Sequence, residues 1–359
     1  MDRIVQWFKQ HLSNPQVVNL TIVLLGILLV LSFTGDMLAP VIAGIVLAYL
    51  LEGVIGRLTQ VKVPRILSVW LVFLVFVLFL ASIIFGLLPV LYNQFTEVVQ
   101  QIPSMLTKGQ AALMTLPERY PELFSIAQVQ EIIASLRTQL TDFGQNLVTS
   151  SISGAASIIT VVIYVVLLPI LIFFFLKDKT TLLKWLVRFL PRDNELAIRV
   201  WGDVDFQIGN YIRGKFWEIL IVWFVTFATF SYLGIQYSML LSVLVGVSVL
   251  IPYVGAAMVT IPVVLIAWFQ WGWNSDFITL VIAYLVIQAL DGNLLVPLLF
   301  SEVVNIHPVA IIVAVLLFGG LWGIWGVFFA IPLATLVQAI LLAWPKPPGE
   351  DQAKEKQGA

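Results

Sequence analysis

The sequence predicts an all-α polytopic membrane protein, and three observations carry that reading. Of the 359 residues 60% are hydrophobic and only 11% charged, where soluble domains run at about 25% charged. Apolar runs such as 17–33 and 152–176 are long enough to cross a hydrocarbon layer of about 30 Å. The stretch from Gly234 to Leu342 nearly repeats itself as two apolar rows, each interrupted by Pro or Gly.

The first row reads Gly234-Ile-Gln-Tyr-Ser, an apolar stretch, Ile251-Pro-Tyr-Val-Gly255, then Ile261-Pro262. The second reads Asn305-Ile-His-Pro-Val309, an apolar stretch, Gly319-Gly320 to Gly326, then Ile331-Pro332. Isoleucine to closing proline spans 27 positions in the first row (235 to 262) and 26 in the second (306 to 332). Unwound backbone is tolerated at membrane depth only where it is buried in protein or lines a wet cavity. Matching broken segments in two halves therefore point to a binding site. The plainer reading is two long helices kinked by Pro and packed through Gly.

In order, residues 1–90 hold three spans. The first runs from Val17 to Phe33 as an uncleaved helix, and a turn at Gly35-Asp36 leads to the second, Met37 to Leu51. The third runs from Ile66 to Val90. Arg3 and Lys9, and the connector's Arg57, Lys62 and Arg65, favour a cytoplasmic N-terminus by charge bias. Residues 91–150 are an extramembrane amphipathic region that continues the third helix. Leu91, Phe95, Val98 and Ile102 recur at helical spacing, and Ser125 to Gln128 reads as a capping box. Residues 151–176 span again. Residues 177–215 carry eight of the nineteen Lys and Arg, so this segment reads as a cytoplasmic, basic amphipathic helix resting on the inner surface.

Residues 216–343 form the duplicated core, one helix plus one broken row, twice, about eight hydrophobic segments in all. Rows that turn back make the second unit an inverted copy of the first; rows that cross fully make the two parallel. Mid-row Pro and Gly favour hairpins. Residues 344–359 read as a disordered cytoplasmic tail, which puts both termini on the cytoplasmic side of the cell's inner membrane.

With no cysteine disulfides are excluded, two histidines leave little material for a metal centre, and no cofactor is expected. A net charge of −1 leaves no nucleic-acid footprint. No nucleophile elbow, P-loop or metal-ligand cluster occurs, so neither an enzyme nor a built-in ATPase is indicated. The expected partners are the lipid bilayer, a small molecule or cation, and further copies of the chain.

Asp291 is the leading candidate for chemistry, because a carboxylate flanked by apolar sequence costs about 2.5–3.5 kcal/mol on insertion scales and marks a pathway. Gln288 shares its helix face and Asn293 follows closely, while Gly292 and Pro297 loosen the backbone. The alternative is that Asp291 only caps a restarting helix. Glu218, beside Lys215, and Asp276 read as interfacial and are set aside. Pro252, Tyr253 and Gly255 break the first row and offer freed carbonyls and a hydroxyl. Gly319, Gly320, Gly323, Gly326 and Pro332 break the second, with Trp322 and Trp325 stacking on a ring or merely filling space. Arg213 could pair with Asp203 or Asp205 as a gate, or anchor the inner surface. His307, at the entrance to the second row, reads as a pH sensor or a plain cap.

Tyr211-Ile-Arg-Gly214, Ile251-Pro-Tyr-Val-Gly255, Asp291-Gly-Asn293 with Pro297, Ile306-His-Pro308 and Gly323-Ile-Trp-Gly326 with Ile331-Pro332 together resemble the autoinducer-2 exporter family, also described as PerM-like permeases. Phe174-Phe-Leu-Lys-Asp178 fits as well, and the likeness runs from about Val17 to Leu342. The resemblance implies a multi-spanning transporter, with an elevator-like arrangement of hairpins in an oligomer. Family members are linked to export of autoinducer-2 or to sodium–proton exchange. One departure is Asp291, where the family pattern more often has glutamate.

The expectation is a transporter exporting a small polar, autoinducer-2-like solute by alternating access, coupled to an ion gradient. The rivals are a sodium (lithium)/proton antiporter using Asp291, and a non-transporting scaffold acting through residues 91–150.

Overall fold

A computed structural model describes residues 15–115, 117, 125–131, 133–135, 138–139, 155–188, 195–252, 254–300 and 307–343. Tyr253, the first fourteen residues, most of the stretch from Pro117 through Leu147, and the tail at 344–359 lie wholly or partly outside them. All regular structure among the described residues is helical.

The first element, α1, runs unbroken from Pro15 to Gln60. The turn expected at Gly35-Asp36 is absent, because a single Gly costs a helix only about 1 kcal/mol. Pro40 also lies inside the rod. At 1.5 Å per residue its 46 residues measure roughly 69 Å, more than twice a hydrocarbon core. Its two ends are therefore far apart, and no turn gathers the N-terminal and connector charges at one face.

The next rod comprises α2 (Arg65–Ser82), a π turn at Ile83–Leu87 and α3 (Leu88–Met114). Pro89, with no N–H to give, lies two residues beyond that wide turn. The third helix runs on in this way to Met114. Among the described residues of the following segment, Ser125 and Gln128 exchange the two hydrogen bonds of a capping box, 3.1 and 3.2 Å.

Helix α4 (Ala155–Lys177) packs on α1, where Gly44 lies against Leu171 and Phe175. Ile55, Val69, Val72, Phe76, Ile172 and Leu176 make the apolar core of α1, α2 and α4. Glu52 ties its end together, pairing with Arg65 at 3.1 Å and Lys179 at 3.3 Å. Lys179 opens the short α5 (Lys179–Val187). Then α6 runs continuously from Glu195 to Leu233. The amphipathic helix expected before residue 215 is therefore continuous with the helix that follows it.

After α6 the chain reverses at Gly234 (φ +75°) and Tyr237 (φ 60°), and Gln270 clamps the turn. It accepts from the Gln236 N–H at 2.7 Å and donates to the Gly234 carbonyl at 2.9 Å. Helix α7 (Ser238–Ser248) then rises and α8 (Val254–Trp271) returns. The 11 residues of α7 reach about 16 Å, half the thickness of a bilayer core. Gln94 of α3 accepts the Leu240 N–H at 2.8 Å, meeting one of the unpaired donors at the start of α7.

Helix α9 (Ser275–Leu290) continues through a π turn at Asp291–Leu295 into α10 (Val296–Phe300). The second row follows as α11 (Pro308–Phe328) and α12 (Ala330–Ala343). Trp322 (φ −129°) and Gly323 (φ 58°) break α11 near its end. Both rows are hairpins. Their arms close at Gly255, facing the Ser248 carbonyl, and at Gly326, facing the Phe318 carbonyl, where any Cβ would collide with backbone.

Among the described residues five helical stretches are long and apolar enough to span a membrane, 37–60, 65–114, 205–233, 254–271 and 275–300, with three shorter apolar helices besides. Side chains such as Leu74, Leu78, Leu298 and Leu316 are 59–72% exposed, as lipid-facing residues of a polytopic protein are.

Candidate functional site

Four elements of the core meet around one cavity of about 400 Å³. Tyr211, Lys215 and Glu218 come from α6, Ile251 and Pro252 from the tip of the first hairpin, and Gln288 and Asp291 from α9 and its π turn. Ile311 and Ile331 of the second hairpin close the wall.

Lys215 and Glu218 stand three residues apart on one helical face, with Nζ and Oε2 2.8 Å apart, and they are 6% and 1% exposed. The expectation that Glu218 is interfacial is thereby corrected: α6 does not break at Gly214, so the residue is carried inward against the hairpins. Lys215 also donates to the Val249 carbonyl at 2.8 Å and lies 5.4 Å from the Phe300 ring centre. Removing one member of such a buried pair costs about 3–5 kcal/mol.

Asp291 has helical dihedrals (φ −58°, ψ −58°) where α9 passes into the π turn, so it is not the N-cap of a restarting helix. Pro297 withholds the N–H that Asn293 O would receive in an α-helix, and the helix widens into a π turn, a feature frequent at functional sites. The Oδ1 of Asp291 is buried and has no hydrogen-bond partner among the described residues. The cavity therefore holds two carboxylates and one ammonium, with Lys215 already engaged by Glu218.

Gln288 donates to the Tyr284 hydroxyl at 2.7 Å, and that hydroxyl lies 3.0 Å from Thr260 Oγ1 and 3.4 Å from the Ala256 carbonyl. This chain locks α9 to the return arm of the first hairpin. Tyr284 and Thr260 escaped sequence reasoning because each sits in an apolar run where a lone hydroxyl has no pattern. Tyr284→Phe should lower the thermal midpoint of the purified protein, in line with a loss of about 1–3 kcal/mol for unmet buried partners. An unchanged midpoint would show the network to be idle.

Several candidates do not line the cavity. Asn293 is exposed and bonds back to its own helix at Ala289 O, 2.8 Å. Gly255, Gly319, Gly323 and Gly326 serve the hairpin turns, Gly320 meets nothing within 4 Å of its Cβ position, and Pro332 is buried within α12. Trp322 stacks on Phe318, centroids 5.8 Å apart. Arg213 makes no pair with Asp205; it donates to Asn210 at 2.8 Å and lies across Gly53 of α1. Asp205 accepts the Tyr49 hydroxyl instead. Two residues eight apart on one straight helix cannot meet. His307 is the N-cap of α11, its Nδ1 accepting the Val309 N–H at 3.2 Å.

Tyr211 and Gly214 explain their own motif. The Tyr211 hydroxyl donates to Phe328 O at 3.2 Å, and a Cβ on Gly214 would stand 2.6 Å from the Phe300 ring. Gly214→Ala should cost about 1–3 kcal/mol by overpacking, read as a lower thermal midpoint, with full stability counting against that packing.

Helical spans enclosing a charged cavity between two broken hairpins define a multi-pass membrane transporter. Residues 20–346 match the family model described as AI-2E family transporter, and the chain belongs to that family. It is 44% identical over 345 residues to the protein named permease PerM in Escherichia coli (strain K12), covering 96% of this chain and 98% of that one. It is 27% identical over 315 residues to the transport protein YueF of Bacillus subtilis (strain 168), covering 86% and 85%. With the AI-2 transport protein TqsA of Escherichia coli (strain K12) it shares 22% over 326 residues, covering 89% and 91%. These relatives are named as permeases and transport proteins, not as enzymes.

Proposed function

We propose that this transporter exports a small polar organic solute of the autoinducer-2 kind by alternating access around Pro252 and Asp291, driven by an ion gradient. The observation that carries the reading is the unpartnered Asp291 oxygen inside a cavity of about 400 Å³. That volume lies in the range of small-molecule sites, about 300–1,000 Å³, and exceeds what a bare cation needs. Apolar walls with a few convergent polar groups suit a compact hydroxylated molecule. The name of TqsA supports the solute class.

The protein acts in the cytoplasmic membrane, with the basic segment at 177–215 and the C-terminal tail inside. Copies of the chain assemble, which accounts for Tyr92 and Phe95, 70% and 45% exposed on the rod beyond membrane length.

Efflux of autoinducer-2 from vesicles loaded with it, stimulated by an imposed proton gradient, is the expected result. No efflux above protein-free vesicles would defeat the reading. The second reading, a sodium (lithium)/proton antiporter, draws on the excess carboxylate in the cavity. A trapped pH dye that responds to added sodium or lithium without any solute would favour it, and silence would remove it.

A further inference from the structure

Helix α6 sends two polar side chains, one turn apart, to two different hairpins. The Tyr211 hydroxyl donates to Phe328 O at 3.2 Å, and Lys215 Nζ donates to Val249 O at 2.8 Å. Both acceptors lie at helix ends, where a carbonyl finds no partner within its own helix. Val249 lies just past the end of α7. Phe328 would be served in α12 by the N–H of residue 332, which is a proline and has none. An unmet carbonyl at membrane depth costs several kcal/mol, and α6 supplies a donor to one such helix-end carbonyl in each hairpin. Tyr211 and Lys215 are themselves 2% and 6% exposed, and the Phe300 ring packs beside both.

We propose that Tyr211 and Lys215 are a pair of positioning residues, one for each hairpin, that hold the two broken segments shut on α6 and let them open separately. The proposal rests on the alternating-access reading. It assigns to Pro332 a task that its place outside the turn leaves otherwise unexplained: it frees the carbonyl that Tyr211 grips. It also gives Lys215 two duties, neutralising Glu218 and closing the first hairpin beside Asp291. The ties are chemically independent, since one donor is a neutral hydroxyl and the other an ammonium, and neither bonds to the other's hairpin.

The chain contains no cysteine, so an introduced thiol reports without background. Ile251→Cys on the first hairpin and Ile331→Cys on the second both line the cavity. Each is made in the full-length protein in vesicles and labelled with a membrane-permeant maleimide. Tyr211→Phe should raise the labelling rate at Ile331→Cys about fivefold, the effect of one net hydrogen bond, and leave Ile251→Cys within about twofold. Lys215→Met made together with Glu218→Gln, which removes both charges of the buried pair at once, should do the reverse, by about tenfold for a charged donor. Equal changes at both cysteines, or none at the assigned hairpin, overturn the proposal. Labelling needs no transported solute. A hairpin-specific change therefore supports the two ties even where autoinducer-2 flux is absent, and its failure overturns them even where flux is normal.

Discussion

Asp291→Asn should leave a folded protein whose solute flux falls by roughly 10–100-fold, the loss expected when a charged hydrogen-bonding group becomes neutral. The carboxamide has the same shape, so the π turn at Asp291–Leu295 keeps its geometry. Folding should not suffer, because Oδ1 has no hydrogen-bond partner to lose among the described residues. Replacing a carboxylate at membrane depth relieves an insertion cost of about 2.5–3.5 kcal/mol. Efflux from vesicles and a thermal melt on the same preparation check both halves. Asp291→Glu should retain flux, since the charge stays and the cavity has room for one more methylene. Normal efflux in the Asn variant would take Asp291 out of the mechanism.

Gly255→Ala should be the most damaging small change in the first hairpin. The added methyl would run into the Ser248 carbonyl, with the Ser248 carbonyl carbon 2.7 Å and its Cα 3.2 Å from the Cβ position. These are backbone atoms at the base of a tight turn, so no rotamer change makes room. Overpacking costs of about 1–3 kcal/mol apply where side chains can yield; here the arms must part, and the expected outcome is protein that does not accumulate or melts well below wild type. Gly326→Ala, facing Phe318 O, should behave likewise. Gly56 in α1 meets nothing within 4 Å, and Gly56→Ala should be neutral or slightly stabilising, as alanine favours a helix by up to about 1 kcal/mol. A stable Gly255→Ala protein would mean that the hairpin arms do not approach as described.

Much of the core was readable before any coordinates. The twin breaks were visible because Pro and Gly interrupt apolar runs at matched spacing, and Asp291 stood out because no other charge lies near it in sequence. The failures share one cause: neighbours across helices are invisible in a linear chain. Glu218 looked interfacial from its nearness to Lys215, yet α6 runs on through Gly214, whose missing side chain leaves room for the Phe300 ring beside it. Asn293 looked like a ligand from its place beside Asp291, but the wider π turn directs it to Ala289 O. Arg213 and Asp205 had matching charges on one helix, and a rigid rod kept them apart.

By itself the sequence determined the solvent, the helical class and the places where helices break, since apolar length, charge scarcity and missing N–H groups act locally. The tertiary structure alone decided which freed carbonyl meets which donor, and that Lys215, Glu218 and Asp291 share one cavity. The physical reason is that burial and pairing of charge depend on helices far apart in the chain, and only their packing brings residue 215 to residues 249 and 291.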